Sequence, residues 1–186
     1  MNIPGKIYPV IGCCGLDCGL CPRYYTAGAS RCPGCAGIDF AGKHPSCSFI
    51  TCCVKKNGLE ACGQCKDFPC PKFKSNEFYQ QLKESSSYPS YKKVIPNLNF
   101  IKENGIEKFI KEQKKRIEIL QIIIDKFNDG RSKSFFCRAS CLLDIKDLKN
   151  SLDKASWKIK ADNIDNIKIK AKMLKGILNK YLSSYS

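Results

Sequence analysis

Fourteen cysteines dominate this 186-residue chain. Twelve fall between Cys13 and Cys70, while Cys137 and Cys141 stand apart. Cys14-Gly-Leu-Asp-Cys18-Gly-Leu-Cys21 sets three thiols at C-x3-C-x2-C spacing, able to converge on one centre from a turn entering a helix. Cys32-Pro-Gly-Cys35 is a knuckle, a tight turn that presents both sulfurs to one metal while backbone N–H groups point at them. Cys47 and the doublet Cys52-Cys53 follow, then a second knuckle, Cys62-Gly-Gln-Cys65, with Cys70 five residues on. Adjacent cysteines rarely ligate one ion, so one of Cys52 and Cys53 is expected to be spare. Cys13 is likewise read as spare beside Cys14. The candidate metal ligands are therefore Cys14, Cys18, Cys21, Cys32, Cys35, Cys47, Cys52, Cys53, Cys62, Cys65 and Cys70.

The chemistry of such a set is metal ligation. In a reducing compartment these cysteines do not pair as disulfides, and thiolates packed this closely repel one another unless a cation stabilises them. Paired knuckles separated by a loop are the usual zinc arrangement, so zinc, as two ions in four-cysteine sites, is the first expectation. An iron–sulfur cluster is the alternative, since it uses the same ligand and its closing cysteine often precedes proline. Cys21, Cys32 and Cys70 each precede proline here. The C-x3-C-x2-C spacing also occurs in radical-SAM enzymes, but those need a large barrel after the cluster loop and this chain has helices. His44, the single histidine, could replace one thiolate. Asp17, between ligands, is read as a helix N-cap or as a hydrogen-bond acceptor supporting the site. Cys137 and Cys141 lie four apart on one helix face, and Phe135, Phe136, Leu142 and Leu143 around them place them in the core.

No catalytic set accompanies the cysteines. There is no Ser/His/Asp group and no phosphate-cradling glycine loop. Saturated four-cysteine sites leave no open position for water or substrate, so no enzyme is expected. The longest apolar runs, such as Ile122 to Ile124, are far short of the roughly 20 residues a bilayer requires. With Pro4, Gly5 and Pro9 the N-terminal stretch does not read as a secretory signal, and the expected location is the cytoplasm.

The net charge is +15 and unevenly spread. Residues 1–70 hold seven Lys or Arg and four Asp or Glu, and residues 71–186 hold 25 and 13. The basic surface thus belongs to the second part. A solvated lysine-rich helical face accounts for it, and an unknown acidic or protein partner would use it. Nucleic acid ranks lower as a partner, because neither a helix-turn-helix nor a two-Cys, two-His finger is present.

The elements that must position the cysteines are short. Residues 12–71 alternate cysteine with Gly and Pro, with brief helices expected over Asp17 to Ala27 and Leu59 to Cys65. This part lacks the means to build much apolar core, and metal sites are the usual substitute. Residues 85–97, with four serines and two prolines, read as a linker. Apolar residues then recur at helical spacing from Gly105 to Phe127 and end at Asn128-Asp129-Gly130. Further helices are expected over Ser134 to Leu143, from Asp144 to about Ala155, and from Asp162 or Asn163 to Tyr181. The expected fold is a small metal-stapled cysteine-rich N-terminal module followed by an all-α helical part, mainly α with little strand. Its divisions are 1–75 for the module, 76–97 for a short helix and linker, and 98–186 for the helical region.

Cys14-Gly-Leu-Asp-Cys18-x-x-Cys21, Cys32-x-Gly-Cys35, Cys47-x-x-Ile50-x-Cys52 and Cys62-x-x-Cys65-x-x-Phe68-Pro69-Cys70 together resemble the domain-of-unknown-function family numbered 3795, over about residues 12 to 75. The resemblance implies metal ligands at Cys14, Cys18, Cys21, Cys32, Cys35, Cys47, Cys62, Cys65 and Cys70, plus Cys52 or Cys53. It implies no activity, since the family has none established. The doublets Cys13-Cys14 and Cys52-Cys53 depart from the family pattern and leave the ligand at each open.

Overall fold

A computed structural model describes residues 6–43, 46–74 and 89–183. Among these residues every regular element is helical, and the cysteine-rich segment precedes the long helices, as the sequence leads one to expect. The long helices are α1 (Val94–Asn104), α2 (Ile106–Phe127), α3 (Lys133–Leu142), α4 (Ile145–Ala161) and α5 (Ile167–Leu182). No helix among the described residues is long and apolar enough to cross a membrane. The chain divides into two units, Met1–Gln113 and Lys114–Ser186.

The first unit builds an apolar core, contrary to the expectation that this part could not. Ile11, Phe49, Ile50, Val54, Phe68 and Phe73 from the cysteine-rich segment are buried with Val94, Leu98 and Ile101 of α1 and with Phe109 and Ile110. α1 therefore packs in the unit of the cysteine module, whereas the sequence reading places residues 85–97 in a linker and draws a division at 97/98. Of the division 76–97, residues 76–88 lie outside the described residues. Pro96 is compatible with α1 because it occupies the first turn, where its missing N–H has no intrahelical partner to lose. Gly105, at φ 85°, ends α1 in a conformation open to a residue without Cβ.

Short turns replace the two expected helices in the cysteine region. Cys18–Leu20 and Pro22–Tyr25 are 3-10 turns, and so is Cys62–Gln64. Ile50–Lys56 is a single π-helical stretch that carries the Cys52-Cys53 doublet. The peptide bond Phe68–Pro69 is cis.

The second unit is an α-helical assembly in which α5 packs against both α3 and α4. Its buried side chains include Phe127, Phe136, Leu143, Leu148, Leu174 and Leu178. Cys137 and Cys141 are buried with them, at 1% and 4% exposure. Arg116 donates to the carbonyls of Ser140 (3.0 Å) and Leu143, satisfying the C-terminal end of α3. α4 runs past the expected end near Ala155 to Ala161. The N-cap of α5 is Asn166, whose side chain accepts from the backbone N–H of Lys168 and Ile169. Asp162 instead closes α4, and Asn163 stands at φ 48°.

Candidate functional site

Backbone hydrogen bonds assemble the cysteine segments. Gly12 N–H donates to Leu16 O at 2.7 Å and Gly19 N–H to Val10 O at 2.7 Å, folding the Cys13–Cys18 loop on itself. Cys35 N–H donates to Pro9 O at 2.9 Å and Cys62 N–H to Cys13 O at 2.8 Å, so both knuckles are laid against the strip around Cys13. Gly34, at φ 81°, is required at the first knuckle: a Cβ there would collide with the Pro9 carbonyl. Gly63, the second residue of the other knuckle, is crowded as well, since a Cβ there would meet the Leu98 carbonyl of α1. The Cys62–Gln64 turn therefore sits directly on α1.

The sulfurs converge on a residue that the sequence reading set aside. The Cys13 thiol adjoins the sulfurs of Cys35, Cys47 and Cys53. Cys53 in turn contacts Cys62. Five cysteines from separate segments thus form one connected group, and Cys13, read as spare, is its centre. Among the described residues, which include all fourteen cysteines, no disulfide forms. The second doublet resolves in the same way. Cys53 is 3% exposed and inside the group, while Cys52 is half-buried and its sulfur receives the Asn57 amide at 3.9 Å.

The contacts divide the group into donors and acceptors. The one Cys13 proton has the sulfurs of Cys35, Cys47 and Cys53 as alternative acceptors, which pushes that thiol far above its ordinary value, and burial acts in the same direction. The contact with Cys53 does the same for Cys62. The accepting sulfurs move the opposite way. Cys13 beside it lowers the Cys35 thiol, and also brings Cys47 to about 6. Cys13 and then Cys62 bring Cys53 to about 4. Cys14 and Cys18 are dominated by burial, which pushes Cys14 up to about 12 and Cys18 well above its ordinary value. Burial also raises Cys21.

A half-open cleft of about 450 Å³ adjoins this group. Cys13, Cys14, Cys18, Cys32, Cys35 and Cys47 line it, together with Leu16, Phe40, Phe49 and Ile50. Cys65 and Cys70 are half-buried and pack at the edge of the core. Cys21 feels the charge of Cys32, which links the first motif to the first knuckle. The sulfurs radiate from Cys13, and among the described residues no three His, Cys, Asp or Glu side chains are disposed as ligands of one ion. His44 lies outside the described residues.

Asp17 is 2% exposed and stands at the N-cap position of the Cys18–Leu20 turn, but its side chain makes no cap bond there. It accepts instead from the side-chain amide of Asn97, on α1, at 3.0 Å. The same amide donates to Gly15 O at 2.9 Å. Asn97 was not legible as a site residue, because its partner lies 80 residues away. Glu60 is a second buried support. Its carboxylate accepts from Lys6 Nζ at 2.6 Å and from the backbone N–H groups of Ile7 and Tyr8, both at 2.7 Å. It thereby pins the strand of chain that leads to Cys13.

No curated protein and no solved structure matches the chain. Residues 10–75, which hold the whole connected cysteine group and its cleft, match the family model described as protein of unknown function (DUF3795).

Proposed function

We propose that residues 10–75 are a thiolate metal-binding module that holds zinc in four-cysteine sites and serves a structural or interaction role. The observation that carries this reading is the contact of Cys13 with Cys35, Cys47 and Cys53. Four thiols from distant segments meet without a disulfide, at a place where their thiolates would repel. The donor chemistry fits the ion, since zinc takes thiolates. With Zn–S bonds of about 2.3 Å, a tetrahedral zinc spaces its sulfurs by about 3.8 Å, and Cys35, Cys47 and Cys53, which each adjoin Cys13, would close to that spacing around the ion. Cys13, Cys35, Cys47 and Cys53 would hold one such ion, and zinc would supply the charge that keeps four thiolates together. The knuckle cysteines Cys32, Cys62 and Cys65, with Cys14, Cys18, Cys21 and Cys70, remain for a second.

One observation favours a second reading, an iron–sulfur centre. Six cysteines line a cleft of about 450 Å³, which is more room than a single ion takes. Metal and acid-labile sulfide analysis of the full chain, purified without oxygen, separates the two. The zinc reading expects stoichiometric zinc, no sulfide and no visible absorption band. Iron with sulfide and a brown colour would replace it with the second reading, and protein free of both metals would sink both.

A further inference from the structure

Trp157, the single tryptophan of the chain, stands on α4 with 74% of its surface exposed. An indole is among the largest apolar groups a protein can bury, and it dominates the energetics of the cores and interfaces that contain it. Leaving it in water forgoes that gain. Its surroundings are cationic. Lys154 lies one helical turn before it, Lys160 one turn after, and Lys158 adjoins it. The side chain borders a shallow, almost wholly apolar hollow of about 470 Å³, closed by Asp153, Lys154, Lys158 and, from α5, Ile177. Lys154 extends from there to Tyr181, where its ammonium donates to the hydroxyl at 3.4 Å and lies 5.9 Å from the ring centroid. The wider field has the same sign, for residues 114–186 carry 17 Lys or Arg against eight Asp or Glu.

We infer that Trp157 is a stacking platform for single-stranded nucleic acid, with a base lying on the indole and the neighbouring phosphates meeting Lys154, Lys158 and Lys160. An aromatic face between cations is the arrangement that holds single strands without reading their sequence, because every base has a π-face and every linkage a negative charge. Size argues against the other occupants. A specific protein interface buries about 1,600 Å² in all, whereas five residues on two helices line this hollow, the footprint of one or two bases. A helix lying on a bilayer presents an apolar face along its length. Apart from Trp157 and Ala161, the exposed positions of α4 are lysines, Asp153 and Ser156. The site lies wholly within the helical unit and does not depend on which metal, if any, the cysteine module binds.

Because Trp157 is the only tryptophan, it reports on its own occupancy. The full chain is titrated with a single-stranded oligothymidylate of about 15 nucleotides, near the upper site size of such surfaces. The expected result is saturable quenching of the indole emission. If two phosphates are neutralised, affinity falls roughly sevenfold between about 50 and 200 mM salt. Trp157→Ala, tested by anisotropy of a labelled oligonucleotide, weakens binding by roughly fivefold or more, while Trp157→Phe keeps most of it. The exposed position leaves the fold of both variants intact, which far-UV circular dichroism verifies. Four results overturn the inference: no quenching at low salt; undiminished binding by Trp157→Ala; an emission shift on anionic phospholipid vesicles with none on the oligonucleotide, which assigns the patch to a bilayer; and quenching by polyglutamate equal to that by the oligonucleotide, which assigns it to an acidic polypeptide.

Discussion

Asn97 donates its side-chain amide to Asp17 at 3.0 Å across 80 residues of sequence, and both side chains are buried. This bond ties α1 to the loop between Cys14 and Cys18, and the second amide bond, to Gly15 O, fixes the backbone of that loop. A carboxylate in the interior depends on such donors, since removing one member of a buried pair leaves the other with its desolvation penalty. Asn97→Leu keeps the approximate volume and removes the donors. It is expected to destabilise the protein by about 2–3 kcal/mol, measured by chemical denaturation of the full chain. A loss below about 0.5 kcal/mol would mean that Asp17 does not rely on this amide.

Glu60 and Lys6 make an asymmetric pair. The Lys6 side chain is 1% exposed and meets Glu60 at 2.6 Å, while Glu60 also takes the N–H groups of Ile7 and Tyr8. Glu60→Ala would strand two backbone donors and remove the counter-charge of a buried ammonium, which keeps only the carbonyls of Tyr8 (2.9 Å) and Glu60 (3.3 Å). Lys6→Met would leave a carboxylate that still has two. The first substitution should cost about 3–5 kcal/mol, as breaking a buried ion pair does, and the second clearly less. Thermal or urea unfolding of the two variants side by side decides it, and equal losses would refute the asymmetry.

Burial without a partner gives a prediction of the opposite sign. The Ser140 hydroxyl, on α3, is buried and has no hydrogen-bond partner among the described residues. Such a group keeps its desolvation cost with nothing to offset it. Ser140→Ala removes the hydroxyl at little cost in volume and raises helix propensity. The variant should be more stable by about 1 kcal/mol, seen as a raised denaturation midpoint with an unchanged slope. A lowered midpoint would mean that the hydroxyl is satisfied in solution.

The helices were legible where one face is buried and the rest solvated. Ile106–Phe127 follows its apolar stripe to within a residue at each end, and Lys133–Leu142 lies one residue from its expected position. α4 overran its expected end because its last turns, through Trp157, carry no buried apolar residue to extend the stripe. α1 was missed because Ser85 to Pro96 has a linker's composition, and the partners that stabilise Val94, Leu98 and Ile101 lie far off in sequence. The cysteine set was legible from spacing. Which member of each doublet faces inward was not, since that depends on how the Cys13 strip and the Ile50–Lys56 turn are oriented by their neighbours, and neither orientation leaves a periodic trace.

The doublets provide the sharpest test of the metal reading. Spacing alone puts Cys14 in the site and leaves Cys13 spare, but Cys13 adjoins three other sulfurs. Cys53 joins that group, and Cys52 sits outside it beside Asn57. If Cys13, Cys35, Cys47 and Cys53 hold one ion, replacing Cys13 or Cys53 with serine removes a thiolate from its cage, and serine is a poor substitute for a soft ligand. Cys13→Ser and Cys53→Ser should therefore each lose about one metal equivalent per chain and unfold at lower chelator concentration. Cys52→Ser should keep the wild-type content. Metal analysis of the three variants, purified in parallel without oxygen, reads this directly. The helical signal of residues 114–186 serves as the internal control, because that unit has its own core. Loss of metal in Cys52→Ser with retention in Cys53→Ser would reverse the assignment of the doublet, and full retention in Cys13→Ser would remove Cys13 from the centre.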